Sequence, residues 1–169
     1  MNPPTPPPKL DRYDLRILEI LQNDSSITNQ QLAERISLSP SPCLRRVQAL
    51  EAAGIIRKRV ALLDRQRLGL QLLVIIHISM DRHTSERFDS FEAAVRQLPE
   101  VLECFMITGQ DADYQIKLTV RDMNHFQDIL LNRITKIEGV TGVHSSFVLR
   151  EVVSTTELPI WKESITNSP

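Results

Sequence analysis

The stretch Ser39-Pro40-Ser41-Pro42-Cys43-Leu44-Arg45-Arg46-Val47-Gln48-Ala49-Leu50-Glu51-Ala52-Ala53-Gly54-Ile55-Ile56 contains both the start and the stop of one helix. Ser39 suits the N-cap, and Pro40 falls at the first helical position, where its fixed φ and missing N–H cost nothing. Pro42 is still inside the first turn, whose amides have no intrahelical acceptor. Leu44, Val47 and Leu50 recur every three residues and are expected to face inward, leaving Ser41, Arg45, Arg46, Gln48 and Ala49 to point elsewhere. Gly54 closes the helix as a left-handed C′ residue.

Two further helices precede it. Thr28-Asn29-Gln30-Gln31 is a capping box ahead of Leu32, Ala33 and Ile36, and Ser37-Leu38 makes the short turn between the pair. The arrangement reads as a helix-turn-helix whose second helix enters a DNA groove. Upstream, Asp11 with Asp14 three residues later caps a helix whose Leu15, Ile17, Leu18, Ile20 and Leu21 supply a broad buried face. Downstream, Ile55 and Ile56 open an expected strand through Arg57-Lys58-Arg59 into Val60–Leu63, the wing of a winged helix; a plain basic surface strand has the same sequence.

Charge is distributed to match. Residues 1–62 hold nine Lys/Arg against six Asp/Glu, whereas residues 63–169 hold eleven against fifteen. Between Cys43 and Arg59, Glu51 alone opposes five basic residues. Counterion release depends on charge at the contact, so a local basic patch on a neutral chain suits DNA. Ser41 and Arg45 sit where base edges are reached, and Gln48 shares that face. Arg46, Arg57, Lys58 and Arg59 suit phosphate, the Ser39 cap offers backbone N–H groups, and Pro42 belongs to the interface as a helix-start residue.

Other classes have little support. No segment approaches a membrane span or a secretory leader, and residues 1–9, rich in proline, read as a disordered arm. Cys43 and Cys104 lack CxxC spacing, which points to a reducing, cytoplasmic setting without a disulfide framework. His77, His83, His125 and His144 are scattered without metal-ligand spacing, and no catalytic triad or phosphate-cradling loop is present, so neither an enzyme nor a cofactor or metal is expected.

After a hinge at residues 64–69 the pattern becomes β-α-β-β-α-β. Leu70–Met80 is nearly continuous in Leu, Val and Ile, as for a strand buried on both faces or paired across an interface. Phe88, Phe91, Val95 and Leu98 mark a helix stopped by Pro99, and Val101–Thr108 is a strand. The turn Gly109–Asp113 leads into a strand over Tyr114–Val120; Met123, Phe126, Leu130, Ile134 and Ile137 mark a second helix, and Val140–Val153 the last strand. The order is that of a ferredoxin-like sandwich, which makes the whole chain α+β: a three-helix winged helix-turn-helix over residues 10–63 and an αβ-sandwich over 70–160, with a tail at 161–169. Both helices on one sheet face leave the other face open. Leu73, Ile75, Cys104, Met106, Ile116 and Leu118 include candidates for it, which points to homodimerisation.

From Leu10 to Ile160 the chain resembles the leucine-responsive/asparagine-synthase regulator (Lrp/AsnC) family of bacterial transcription factors. The resemblance rests on Leu10-Asp11-Arg12-Tyr13-Asp14 with Ile17-Leu18, on Leu38-Ser39-Pro40-Ser41-Pro42-Cys43 with Arg46-Val47, and on Leu50–Ile56; Asp113-Tyr114, Val120–Met123, Ser145–Val148 and Leu158-Pro159-Ile160 fit its small-molecule-binding domain. It implies a dimer that assembles further, often to an octamer of four dimers, binds double-stranded DNA, and responds to an amino acid. By position, Met106, Asp113, Met123, Ser146, Phe147 and Val148 match the effector-responsive places of the family. Similar members have two residues between the glycine and the aspartate of the turn, whereas Gly109 and Asp113 enclose three, with Asp111 as a second carboxylate.

A free amino acid needs an acceptor for its ammonium and donors for its carboxylate. Asp113 or Asp111 and the amides of the turn supply both, while Met106, Met123 and Phe147 could enclose an apolar side chain. Residue types alone equally fit an interface core beside a hairpin loop. The expected function is a homo-oligomeric regulator of amino-acid-linked metabolism; a ligand-independent architectural DNA-binding protein, or a sensing module acting through protein contacts, are the alternatives.

Overall fold

Local capping signals fix the three N-terminal helices. The computed structural model describes residues 9–109 and 111–160; of the expected arm all but Lys9, and the tail at 161–169, lie outside them. Helix α1 (Arg12–Asn23) starts at Asp11, whose carboxylate accepts the N–H groups of Tyr13 and Asp14 while Asp14 accepts that of Asp11. Helix α2 (Asn29–Arg35) starts at the Thr28–Gln31 capping box, and helix α3 (Pro40–Ala52) at Ser39.

Helices α2 and α3 end alike. The N–H of Leu38 reaches the carbonyl of Ala33, and that of Ile55 the carbonyl of Leu50, each across a residue at positive φ, Ser37 (+58°) and Gly54 (+71°). These are Schellman closures, one on glycine as expected and one on serine. A single core joins the three helices, built from Ile17, Leu21, Leu32, Ala33, Cys43, Val47 and Leu50 with Ile55 and Ile56 at its edge.

Two expectations need correction here. The inward stripe of α3 is Cys43, Val47 and Leu50, not Leu44, Val47 and Leu50: Cys43 is fully buried and Leu44 is 45 % exposed. The two registers share two of three positions, and packing on α1 and α2 selects between them. The wing strand does not form, since residues 57–63 pair with no other strand among the described residues and lie exposed. A strand needs a neighbouring edge for its N–H and C=O groups, and the chain offers none there.

The second unit spans Leu63–Val152. Asp64 caps a turn closed by Gly69 (φ +80°), after which strand β1 (Leu72–Met80), helix α4 (Ser85–Val95), strands β2 (Val101–Met106) and β3 (Tyr114–Val120), helix α5 (Met123–Ile129) with a π-helical turn (Leu130–Ile134), and strand β4 (Val140–Phe147) follow. The four strands make one antiparallel sheet in the order β2-β3-β1-β4, the ferredoxin-like topology. Val74, Ile76 and Ile78 of β1 and Tyr114, Ile116 and Leu118 of β3 pack under Phe91, Val95, Phe126, Ile129 and Ile134, so both helices cover one face.

Register corrects the reading of the other face. Strand β1 is buried on one side, and its second side carries Leu73, Ile75, His77 and Ser79. Across from them stand Thr119, Lys117 and Gln115 on β3 and Ser146, His144 and Gly142 on β4. Ile116 and Leu118 belong to the helix-covered core, and Cys104 and Met106 share their side at the sheet edge. The open face is therefore mostly polar, with an ion pair between Lys117 and Glu103 (3.4 Å).

The last described residues return to the first unit. By its chain contacts Val153–Ile160 groups with residues 9–62. The Gln22 side chain pairs twice with the backbone of Leu158, donating to its carbonyl (3.2 Å) and accepting its N–H (3.0 Å).

Candidate functional site

Helix α3 presents its basic side to solvent. Ser41, Arg45 and Gln48 are exposed one turn apart along one stripe opposite the core, and Arg45 has no ion-pair partner among the described residues. The start of the helix is pinned by Asn29, which donates to the carbonyl of Pro40 (2.9 Å). Ser39 occupies the N-cap but its hydroxyl accepts no capping hydrogen bond. Prolines at the first and third helical positions remove two amides of that turn, and Pro42 removes the N3 amide that a serine cap would serve, so Ser41 carries the one N–H left among these three positions. Pro42 is half-buried, in keeping with a helix-start residue.

Arg46 does not match its expected role. Its guanidinium lies 2.7 Å from Asp11 and 2.8 Å from Asp14, with the Tyr13 ring 5.3 Å away. Burial alone would push the Asp11 carboxyl up, but the backbone N–H of Asp14 and the Arg46 guanidinium hold it below the usual carboxylate value. Arg46 thus fastens α3 to the start of α1 through Nη1, with two carboxylates set against its charge. Arg59 is partly committed too, 3.0 Å from Glu51, whereas Arg57 and Lys58 are exposed and unpaired among the described residues.

Replacing Arg46 with Met is therefore expected to lower the stability of the N-terminal domain by roughly 1 kcal/mol, given that its side chain is 32 % exposed. DNA binding should weaken alike on every sequence, with the salt dependence unchanged. Arg57→Gln should instead reduce the slope of log K against log salt by about one. Titrations at four salt concentrations separate the two outcomes.

The eight expected effector residues fall into two groups at opposite ends of the sheet. Met106 pairs with Tyr114 beside the Gly109–Asp113 turn, at the end of β1 marked by Ile78 and Met80. Ser146, Phe147 and Val148 lie near the start of β1, opposite Ile75 and Val74 and bonded to Leu73, and Met123 begins the helix just beyond β3, with Phe126 against Phe147 (5.1 Å). The four steps along β1 from Val74 to Ile78 alone span roughly 13 Å of strand, and a free amino acid cannot bridge the two groups.

At the turn, Asp113 is already occupied. One carboxylate oxygen accepts the N–H of Met80 (2.7 Å) and the other the Nε2–H of His83 (2.7 Å), so this residue closes the turn onto β1. Asp111 is the exposed carboxylate. It borders an open cleft of about 610 Å³ with His77, Ser79, Gly109, Gly142 and His144. Ser79 donates to the Asp111 carbonyl (2.8 Å), and a Cβ on Gly142 would stand 3.2 Å from Ser79, so glycine keeps the floor low. His77 and His144, distant in sequence, are direct cross-strand neighbours. Residue types gave no sign of this pairing; only the β1–β4 register brings them together.

These features meet in the comparisons with known proteins. A model of the Lrp/AsnC ligand binding domain matches residues 73–158, and one of a winged helix-turn-helix DNA-binding domain matches residues 10–57. The leucine-responsive regulatory protein of Salmonella typhimurium is 39 % identical over 151 residues, 89 % of this chain and 92 % of its own length. The chain belongs to the Lrp/AsnC family. The Bkd operon transcriptional regulator of Pseudomonas aeruginosa is 37 % identical, over 90 % of this chain and 99 % of its own. Among solved structures, a transcriptional regulator of Neisseria meningitidis in complex with L-Met superposes with a TM-score of 0.84 at 44 % identity, covering 89 % of this chain and 96 % of that one. Membership makes this Lrp/AsnC protein a DNA-binding transcription regulator with a ligand-binding domain. No described helix is long and apolar enough to cross a membrane.

Proposed function

We propose that this regulator of amino-acid-linked metabolism works as a homo-oligomer in the cytoplasm, built from dimers and reaching an octamer, and that a free amino acid bound between subunits alters its assembly on DNA. The carrying observation is the separation of the two effector groups within one chain. A site using both must draw the turn from one subunit and Met123, Phe147 and Val148 from another.

In that site the Asp111 carboxylate would accept the ligand's ammonium. The imidazoles of His77 and His144 and the turn amides would donate to its carboxylate, and the apolar group would enclose its side chain. Oligomerisation is supported by apolar side chains that a lone chain leaves in water: Leu62, Leu63, Leu149, Val152 and Val153 are 74–99 % exposed or close to it, at 74 %, 75 %, 99 %, 83 % and 78 %. Relatives named as transcription regulators, and not as enzymes, agree with a non-catalytic role.

Calorimetric titration of the full chain with the twenty amino acids tests the proposal. One or a few should bind, and Asp111→Asn and Phe147→Ala should each weaken binding by at least about tenfold, the loss of one charge-assisted contact or one buried aromatic face. Mixed oligomers of the two variants should then recover part of the sites. Silence across the panel favours an architectural protein, and binding without recovery places the ligand within a single subunit.

A further inference from the structure

Leu44 is the one large apolar side chain that α3 leaves in solvent, 45 % exposed where Cys43, Val47 and Leu50 are 5 % or less. It stands three residues after Ser41, directly before Arg45 and four before Gln48, so it flanks the same outward stripe. Its neighbours there are hydrogen-bonding groups. In the major groove the base edges present donors and acceptors and a single apolar feature, the 5-methyl group of thymine. We propose that Leu44 reads thymine by packing on that methyl, beside the base-edge contacts of Arg45.

The proposal rests on α3 being the helix that enters the groove, and the test separates the two. A binding sequence is first selected with the full chain from a random duplex pool, and each thymine is then replaced singly by deoxyuridine, which lacks only the methyl. At one thymine per half-site the wild type should lose about fourfold in affinity, the value of one buried methyl-sized group. Leu44→Ala should bind the thymine and uracil duplexes alike, with an unchanged melting curve, and Leu44→Met should restore the preference. If Arg45→Ala relaxes sequence preference but no uracil position matters, or Leu44→Ala keeps the same loss, Leu44 is not a reader. If the chain selects no duplex at all, the placement of α3 in the groove falls, and this proposal with it.

Discussion

Arg45→Ala should weaken binding to the selected operator by roughly 1–3 kcal/mol, about 5- to 150-fold, and flatten the preference at one base position per half-site. The size follows from the isolation of this guanidinium. It is exposed, carries no ion pair among the described residues, and stands on the stripe opposite the buried side of α3. Its planar fork fits the two acceptors of a guanine edge with a fixed geometry that a lysine's point charge does not impose. The neighbouring Arg46, tied to two carboxylates, should lack this signature despite its identical chemistry. Competition assays with single-base variants of the operator read the difference directly: an equal loss on all variants would place Arg45 among the phosphate contacts.

Phe91→Ala should cost about 3–5 kcal/mol. Phe91 is fully buried and lies 4.5 Å from Tyr114, the first residue after the Gly109–Asp113 turn, so its removal empties the space that seats the beginning of β3. In calorimetry the transition of the C-terminal domain should fall by more than about 12 °C. The transition of the N-terminal domain should stay where it is, because the two hydrophobic cores share no residue. A joint shift would mean that the two cores melt as one cooperative unit.

Much of this was legible in the residues, and the reason is locality. The caps at Asp11 and Thr28 and the closure at Gly54 depend on residues within five positions of one another. What was missed depends on distant partners. Arg46 read as a phosphate contact because its carboxylates lie some thirty residues earlier; the separation to Asp14 is 32. His77 and His144 read as unrelated because only strand register makes them neighbours. Periodicity could not choose between Cys43 and Leu44, since both fit a helical stripe with Val47 and Leu50, and that choice decides which side chain faces solvent.

The paired hydrogen bonds between Gln22 and Leu158 give the chain an unusual topology. A polypeptide that leaves its first domain, builds a second and comes back to bond to the first helix makes the second domain an insertion in the chain order of the first. The outgoing segment after Gly54 is a covalent exit from that first domain, whereas the returning segment holds it at Leu158 through two hydrogen bonds to one side chain.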